Sequence, residues 1–209
     1  MILAVFLMIS CLFIGAPNAN AAQKATESRA IAIVFDNSGS MYTEGNMSWC
    51  RANYAMQVFA SMLNEGDILQ IYPMWDITTG GKTYSMNNPL EIKDVNQADV
   101  IRDIFSPGAS MTPIETIDAG AAGLQKVKAD KKYLIVLTDG TEFDRGGVVL
   151  KGDDTPKALT EKVQQYAGNG MTMMYLGIGS GAVVPNVKNN ASYISAKASD
   201  SAQILSTLT

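Results

Sequence analysis

Histidine is absent from the 209-residue chain, and cysteine occurs only twice, at Cys11 and Cys50. Without histidine, neither a Ser-His-Asp nor a Cys-His catalytic centre can form, and no metal can be held by imidazole. If an N-terminal segment containing Cys11 is removed, Cys50 is left alone and an internal disulfide is excluded. We expect Cys50 to pack as a small apolar side chain on the first helix.

Charge is also scarce, because charged residues make up 17% of the chain and the net charge is -4. No long run of Lys and Arg occurs, and the isoelectric point is about 4.8. A nucleic-acid partner is therefore not expected, since such binding depends on clustered positive charge. The length and the 47% of hydrophobic residues suit one α/β domain with a sizeable core.

A long apolar run is confined to the N-terminus. Residues 2–16 are almost all apolar and uncharged, Pro17 interrupts them, and residues 19–21 (Ala-Asn-Ala) match a small-x-small cleavage site. The run is short for a membrane span, and no Lys or Arg precedes it, so either the true start lies upstream or the signal is atypical. We interpret residues 1–21 as a signal peptide. The protein is then exported, secreted or on the cell surface, with membrane attachment only through segments outside this chain.

After residue 28, apolar runs alternate with segments of helical periodicity. The predicted strands are residues 30–35, 67–72, 133–137 and 171–178, with shorter ones at 82–86, at an edge, and at 191–195. The predicted helices are residues 49–63 and 96–105, one with Thr112 as N-cap and Pro113 as first residue, and one opened by Thr155-Pro156.

This alternation predicts an α/β fold. Several predicted strands are apolar throughout, as expected of a mostly parallel, doubly wound central sheet with helices on both faces. The residues from 199 onward have the pattern of another helix, at which the chain ends. We expect one domain over residues 28–209, truncated in its last helix and belonging to a longer protein.

Five oxygen-bearing residues follow predicted strands or open a predicted helix. They are Asp36, Ser38, Ser40, Thr112 and Asp139. In open α/β sheets, ligands bind beyond the carboxyl ends of the strands. Two carboxylates and three hydroxyls offer only oxygen, which is what Mg²⁺ prefers, although Mn²⁺ or Ca²⁺ would also fit. The sequence thus predicts a divalent cation at this edge of the sheet.

Each part of this pattern is common when taken alone. Asp36 and the two serines could form a turn and a helix cap, Asp139-Gly140 is a frequent turn, and Thr112-Pro113 is a frequent helix start. What favours the metal site is that all the parts occur in order at the corresponding ends of the predicted elements.

A competing motif lies at residues 177–182, which match the dinucleotide pattern G-x-G-x-x-A, with Asp200 downstream. That pattern should open a helix, whereas Pro185 disfavours helix at Val184. We interpret these residues as a loop at the end of a strand.

The five oxygen-bearing residues resemble the metal-ion-dependent adhesion site of the von Willebrand factor type A family. Asp36, Ser38 and Ser40 match its first metal loop, Thr112 its second and Asp139 its third. Residues 38–41 (Ser-Gly-Ser-Met) are a frequent form in that family, whereas residues 108–111 are less glycine-rich than in many members.

This resemblance implies a mostly parallel sheet with one antiparallel edge strand. It also implies a non-catalytic module that binds a protein or peptide, with the cation coordinating an acidic residue of the partner. We expect Met41, Tyr42 and Met111 to form an apolar rim around the metal loops.

A metal-dependent hydrolase or phosphoryl-transfer enzyme that uses Asp36 or Asp139 is the alternative. Such chemistry needs a positioned base and cationic groups, for which Arg51 and Lys82 are the nearest candidates in sequence. A subunit acting beside an ATPase motor, also known in this family, conflicts with the export signal.

Overall fold

The computed structural model describes residues 27–108, 110–140, 142–179 and 181–198. Its strands are, in chain order, β1 (Arg29–Phe35), β2 (Ile68–Pro73), β3 (Ile77–Thr79), β4 (Lys82–Tyr84), β5 (Leu90–Ile92), β6 (Lys131–Thr138), β7 (Asp144–Arg145), β8 (Val148–Val149), β9 (Thr172–Ile178) and β10 (Tyr193–Ala198). The α-helices are α1 (Thr43–Ser61), α2 (Asp99–Arg102), α3 (Glu115–Lys126) and α4 (Asp154–Tyr166). Short 3₁₀ turns cover Gly39–Tyr42 and Val95–Gln97.

Six strands form the central sheet in the order β10-β9-β6-β1-β2-β5. All neighbouring pairs are parallel except β2 and β5, which are antiparallel. The predicted fold class, a mostly parallel α/β sheet covered by helices, is therefore confirmed.

The central strand β1 is buried on both faces. Ile31, Ile33 and Phe35 pack in the core that contains the inner face of α1, whereas Ala32 and Val34 pack in the core that contains α3 and α4. Successive side chains of a strand point to opposite faces, so a strand covered on both sides must be apolar at every position. This explains the continuous apolar run.

The predicted helix faces are also confirmed. Their fully or nearly fully buried members are Ala52, Ala55, Met56 and Phe59 on α1, Ile114, Ile117, Ala121 and Leu124 at and before α3, and Leu159, Val163 and Tyr166 on α4. Helix α1 begins six residues earlier than the predicted residue 49. The predicted helix at 96–105 is a 3₁₀ turn followed by the single turn of α2.

The prediction for the edge strand is wrong. Residues 82–86 do not join the central sheet; β4 pairs with β3, and β5 supplies the antiparallel edge. Gly80 and Gly81 both have positive φ, 55° and 72°, which allows the two-residue turn of a tight hairpin and so commits β4 to β3.

Cys50 also differs from its prediction, because it is exposed. It precedes the buried Ala52 by two residues, which places it about 200° around the helix from that side chain. The predicted signal peptide and the predicted last helix lie outside the described residues. Of the described helices, none is both long and apolar enough to cross a bilayer.

Candidate metal centre

The first loop of the candidate site leaves the carboxyl end of β1. Asp36 is fully buried, and its Oδ1 accepts a hydrogen bond from the backbone N–H of Ser38 at 3.0 Å. The Oγ atoms of Ser38 and Ser40 are hydrogen-bonded to each other at 3.0 Å. The three predicted ligands of this loop therefore form one connected group.

Asp36 is held from the other side by Thr138, the last residue of β6. The Thr138 hydroxyl donates to Asp36 Oδ2 at 2.6 Å and accepts from the N–H of Gly140 at 2.8 Å. This arrangement follows from the parallel register, in which Phe35 lies opposite Leu137. Sequence reasoning missed Thr138, although its position just before Asp139 at a strand end was a usable signal.

Asp139 lies close enough to Asp36 for the two charges to interact. Burial is the main cause that raises the pKa of Asp36 to about 6; the charge of Asp139 raises it further, while hydrogen bonds from Thr138 and Ser38 oppose the rise. Asp139 is itself buried. Two neighbouring buried carboxylates repel each other when ionised, and a cation between them would relieve that repulsion.

Thr112 differs from its prediction as an N-cap. Helix α3 begins only at Glu115, and the backbone around Thr112 pairs with Asp144 instead. Asp144 N donates to Thr112 O and Ile114 N donates to Asp144 O, each at 3.0 Å. These bonds commit the backbone on both sides of Pro113 to Asp144, and α3 follows only after Ile114, its N-cap.

The Thr112 side chain is buried and directed to the loop after β6. Its hydroxyl donates a short hydrogen bond to the carbonyl of Glu142, and its N–H donates to Asp144 Oδ2 at 2.8 Å. Because the hydroxyl proton goes to a carbonyl, the oxygen lone pairs stay free for a cation. The structure thus joins Thr112 to the loop that contains Asp139, and no hydrogen bond between described residues joins it to Asp36.

The predicted apolar rim is only partly present. Met111 is 39% exposed and Tyr42 is half-buried, with its ring stacked on Trp49 at a centroid distance of 4.7 Å. Met41 is fully buried and belongs to the core on the α1 side, so the prediction for this residue is wrong.

Tyr175 on β9 adds a polar group that the sequence did not reveal. Its hydroxyl is buried and has no hydrogen-bond partner among the described residues. Burial, followed by the charge of Asp36, raises the pKa of Tyr175 well above its ordinary value, and the charge of Asp139 contributes to the rise. The tyrosine hydroxyl therefore lies in the field of both carboxylates.

The donor set fits a hard cation. The described residues contain no group of three His, Cys, Asp or Glu side chains that could hold a metal. The candidate set has only two carboxylates, and hydroxyls supply the rest. Five oxygen donors would leave room for water or for an oxygen of a partner, and protein-bound Mg²⁺ commonly keeps several waters.

The glycine-rich end of β9 is a loop, as interpreted from the sequence. The described residues 181–192 contain no helix after this strand. A Cβ on Gly177 would lie 2.8 Å from Cγ2 of Val184, so glycine is needed here for loop packing. This contact explains the glycine at position 177 without any role in dinucleotide binding.

No protein-family model and no curated protein match the chain. Solved structures do. The vWF domain of the type V pili tip protein Mfa5 from Porphyromonas gingivalis matches with a TM-score of 0.58 at 11% identity, over 82% of this chain and 90% of that one. A von Willebrand factor type A structure from Catenulispora acidiphila matches with a TM-score of 0.50 at 18% identity, over 87% of this chain and 41% of that one. The chain shares its fold with von Willebrand factor type A domains.

A pilus adhesin, SpaC from Lactobacillus rhamnosus GG, has the same fold with a TM-score of 0.58 at 16% identity. The match covers 89% of this chain and 30% of SpaC, so this chain spans less than a third of the length of that protein. At these identities the likeness establishes the fold and leaves the ligand open.

Proposed function

We propose that this chain is a non-catalytic, metal-dependent binding module of the adhesion type, which coordinates a carboxylate of a protein or peptide partner through a divalent cation. The buried carboxylate pair of Asp36 and Asp139 carries the proposal. These two side chains follow the carboxyl ends of β1 and β6, where burial and mutual repulsion both disfavour their ionised forms in the absence of a cation. The pilus proteins among the structures with this fold support an exported, surface-associated role.

Each predicted ligand has a distinct part in this proposal. Asp36 and Asp139 provide the negative charge, while the oxygens of Ser38, Ser40 and Thr112 complete a hard oxygen set. When bound, the cation would supply positive charge and an open position for the partner's carboxylate. Mg²⁺ is the proposed ion, with Mn²⁺ and Ca²⁺ as the alternatives.

Thermal unfolding in Mg²⁺ and in EDTA tests the site. At free Mg²⁺ ten times the dissociation constant, binding adds about 1.4 kcal/mol to the free energy of unfolding. For a domain of this size the melting temperature should rise by roughly 3 °C. Asp36→Ala should remove the Mg²⁺ effect while the circular dichroism spectrum stays the same.

A matched control is Asp99→Ala, since Asp99 is an exposed carboxylate on α2 with 82% of its side chain accessible. This variant should keep the full response to Mg²⁺. An equal melting temperature in Mg²⁺ and EDTA over a wide concentration range would contradict the proposed site. Metal-dependent turnover of a generic phosphate or ester substrate, abolished by Asp36→Ala, would favour the enzyme alternative instead.

A further inference from the structure

A groove of about 580 Å³ opens beside the candidate metal centre. Its walls come from the loops after β2 and β4, from the segment that leads into α3, and from the β7–β8 hairpin. The lining residues include Trp75, Asp76, Met86, Met111, Glu115 and Asp144. The volume is in the range of clefts that bind ligands.

The groove is joined to the metal loops by two sets of hydrogen bonds. Asn37, which follows Asp36, donates from Nδ2 to the carbonyl of Trp75 at 2.7 Å and accepts from the Trp75 N–H at 2.8 Å. Asp144 accepts from the N–H of Thr112 at 2.8 Å. The walls of the groove and the candidate ligands are therefore positioned by the same contacts.

The lining combines apolar surface with negative charge. Trp75 is 43% exposed and Met111 is 39% exposed, which leaves an aromatic ring and a thioether open to a ligand. Asp76, Glu115 and Asp144 contribute carboxylates, and no Lys or Arg is among the described residues of the lining. This combination favours a cation on a long apolar stem, which can pair with carboxylates and lie over an aromatic ring.

The three acidic side chains differ in their exposure and in the hydrogen bonds that they already accept. Asp144 is buried and holds Thr112, whereas Glu115 accepts one hydrogen bond, from the N–H of Gly146 at 3.0 Å. Asp76 is exposed. Asp76 and Glu115 are accordingly the carboxylates available to a ligand.

We infer that this groove binds an arginine or lysine side chain of the same partner whose carboxylate the metal coordinates. The inference rests on the proposed function and specifies the partner: a peptide segment with an acidic residue and a basic residue close together. The acidic residue faces the cation, and the basic side chain lies along Trp75 toward Asp76 and Glu115.

Peptides provide the test. The full chain in Mg²⁺ is titrated with acetylated, amidated peptides that contain one Asp and one Arg at varied alanine spacing, and binding is followed by NMR. Matched peptides carry citrulline, which has nearly the shape of arginine without the charge. At the best spacing, the citrulline peptide should bind about five-fold more weakly.

The double variant Asp76→Asn, Glu115→Gln should abolish the preference for arginine, and its glutamine can still accept from Gly146. Asp99→Asn, Asp103→Asn removes two exposed charges at α2, whose side chains are 82% and 68% accessible, and should preserve the preference. Equal binding of both peptides, no binding of the arginine peptide, or a preference unchanged in the groove variant would each overturn the inference.

EDTA separates this inference from the proposed function. If both hold, EDTA weakens both peptides and leaves their ratio in place. If EDTA changes neither the affinity of the arginine peptide nor the preference for arginine, the groove is supported and the metal-bridged carboxylate is contradicted.

Discussion

At the scale of single residues, burial makes the Asp36 carboxyl group costly to ionise when no counter-charge is bound. Its pKa is raised from 3.8 to about 6, so the folded state binds this proton more tightly than the unfolded state does. The contribution of Asp36 to the free energy of unfolding is therefore highest below pH 4 and falls as the pH rises to about 6. Two pKa units correspond to about 3 kcal/mol.

We expect Asp36→Asn to flatten this decline in EDTA, as measured by urea unfolding between pH 4 and pH 7, because asparagine has no charge to bury. In the wild-type protein, stabilisation by Mg²⁺ should appear mainly above about pH 6, where Asp36 is ionised. Asp99→Asn serves as the control and should retain the wild-type profile. A decline that is identical in Asp36→Asn and wild type would refute this assignment.

At the scale of elements, the starts of β1 and β2 are joined by Arg29 and Asp67. The Asp67 side chain is inaccessible and accepts from Arg29 N at 2.8 Å, Arg29 Nε at 2.9 Å and Asn64 N at 2.7 Å. Burial raises the pKa of Asp67, but the hydrogen bonds from Arg29 and Asn64 outweigh it and leave the pKa lowered. Asp67→Asn should lower the free energy of unfolding by about 3 kcal/mol at neutral pH, since it weakens a buried charge pair.

Chemical denaturation checks this value. Glu161→Gln is the comparison, because its ion pair with Arg145 is half exposed on both sides and should change stability by less than about 0.5 kcal/mol. Similar losses in the two variants would show that the Arg29–Asp67 contact contributes no more than a surface pair.

At the scale of the whole molecule, the residues just before β1 are held by hydrogen bonds and an ion pair to the start of β6. The N–H and hydroxyl of Ser28 donate to Asp130 Oδ2, each at 2.9 Å, and Glu27 pairs with Lys131 at 2.5 Å. A mature protein that begins near Ala22 would keep all of these contacts. Removal of residues 1–21 should therefore leave the melting temperature unchanged.

N-terminal sequencing of protein from its native cells should find a start near Ala22. An intact Met1 on protein recovered from the cytosol would contradict both export and the interpretation of residues 1–21 as a signal peptide.

Much of the fold was predictable from local pattern. The apolar runs predicted β1, β6 and β9, and the helical stripes predicted the buried faces of α1, α3 and α4. A segment that is buried on one face places its apolar residues at the repeat of its own helix or strand. The periodicity within that segment is therefore enough to identify the buried face. The oxygen-bearing residues could be identified because they directly follow predicted strands or precede a predicted helix in the sequence.

What the sequence determined by itself was therefore the main strands and helices around the core, together with the candidate donors that follow them. Tertiary structure decided the contacts between distant segments. Thr138 reaches Asp36 across 102 positions of the chain, and the pairing of Asp144 with Thr112 delays α3. The antiparallel edge is β5, while the glycine turn pairs β4 with β3 in a separate hairpin. Strand register and loop pairing depend on which segments become neighbours, and local periodicity carries no information about that choice.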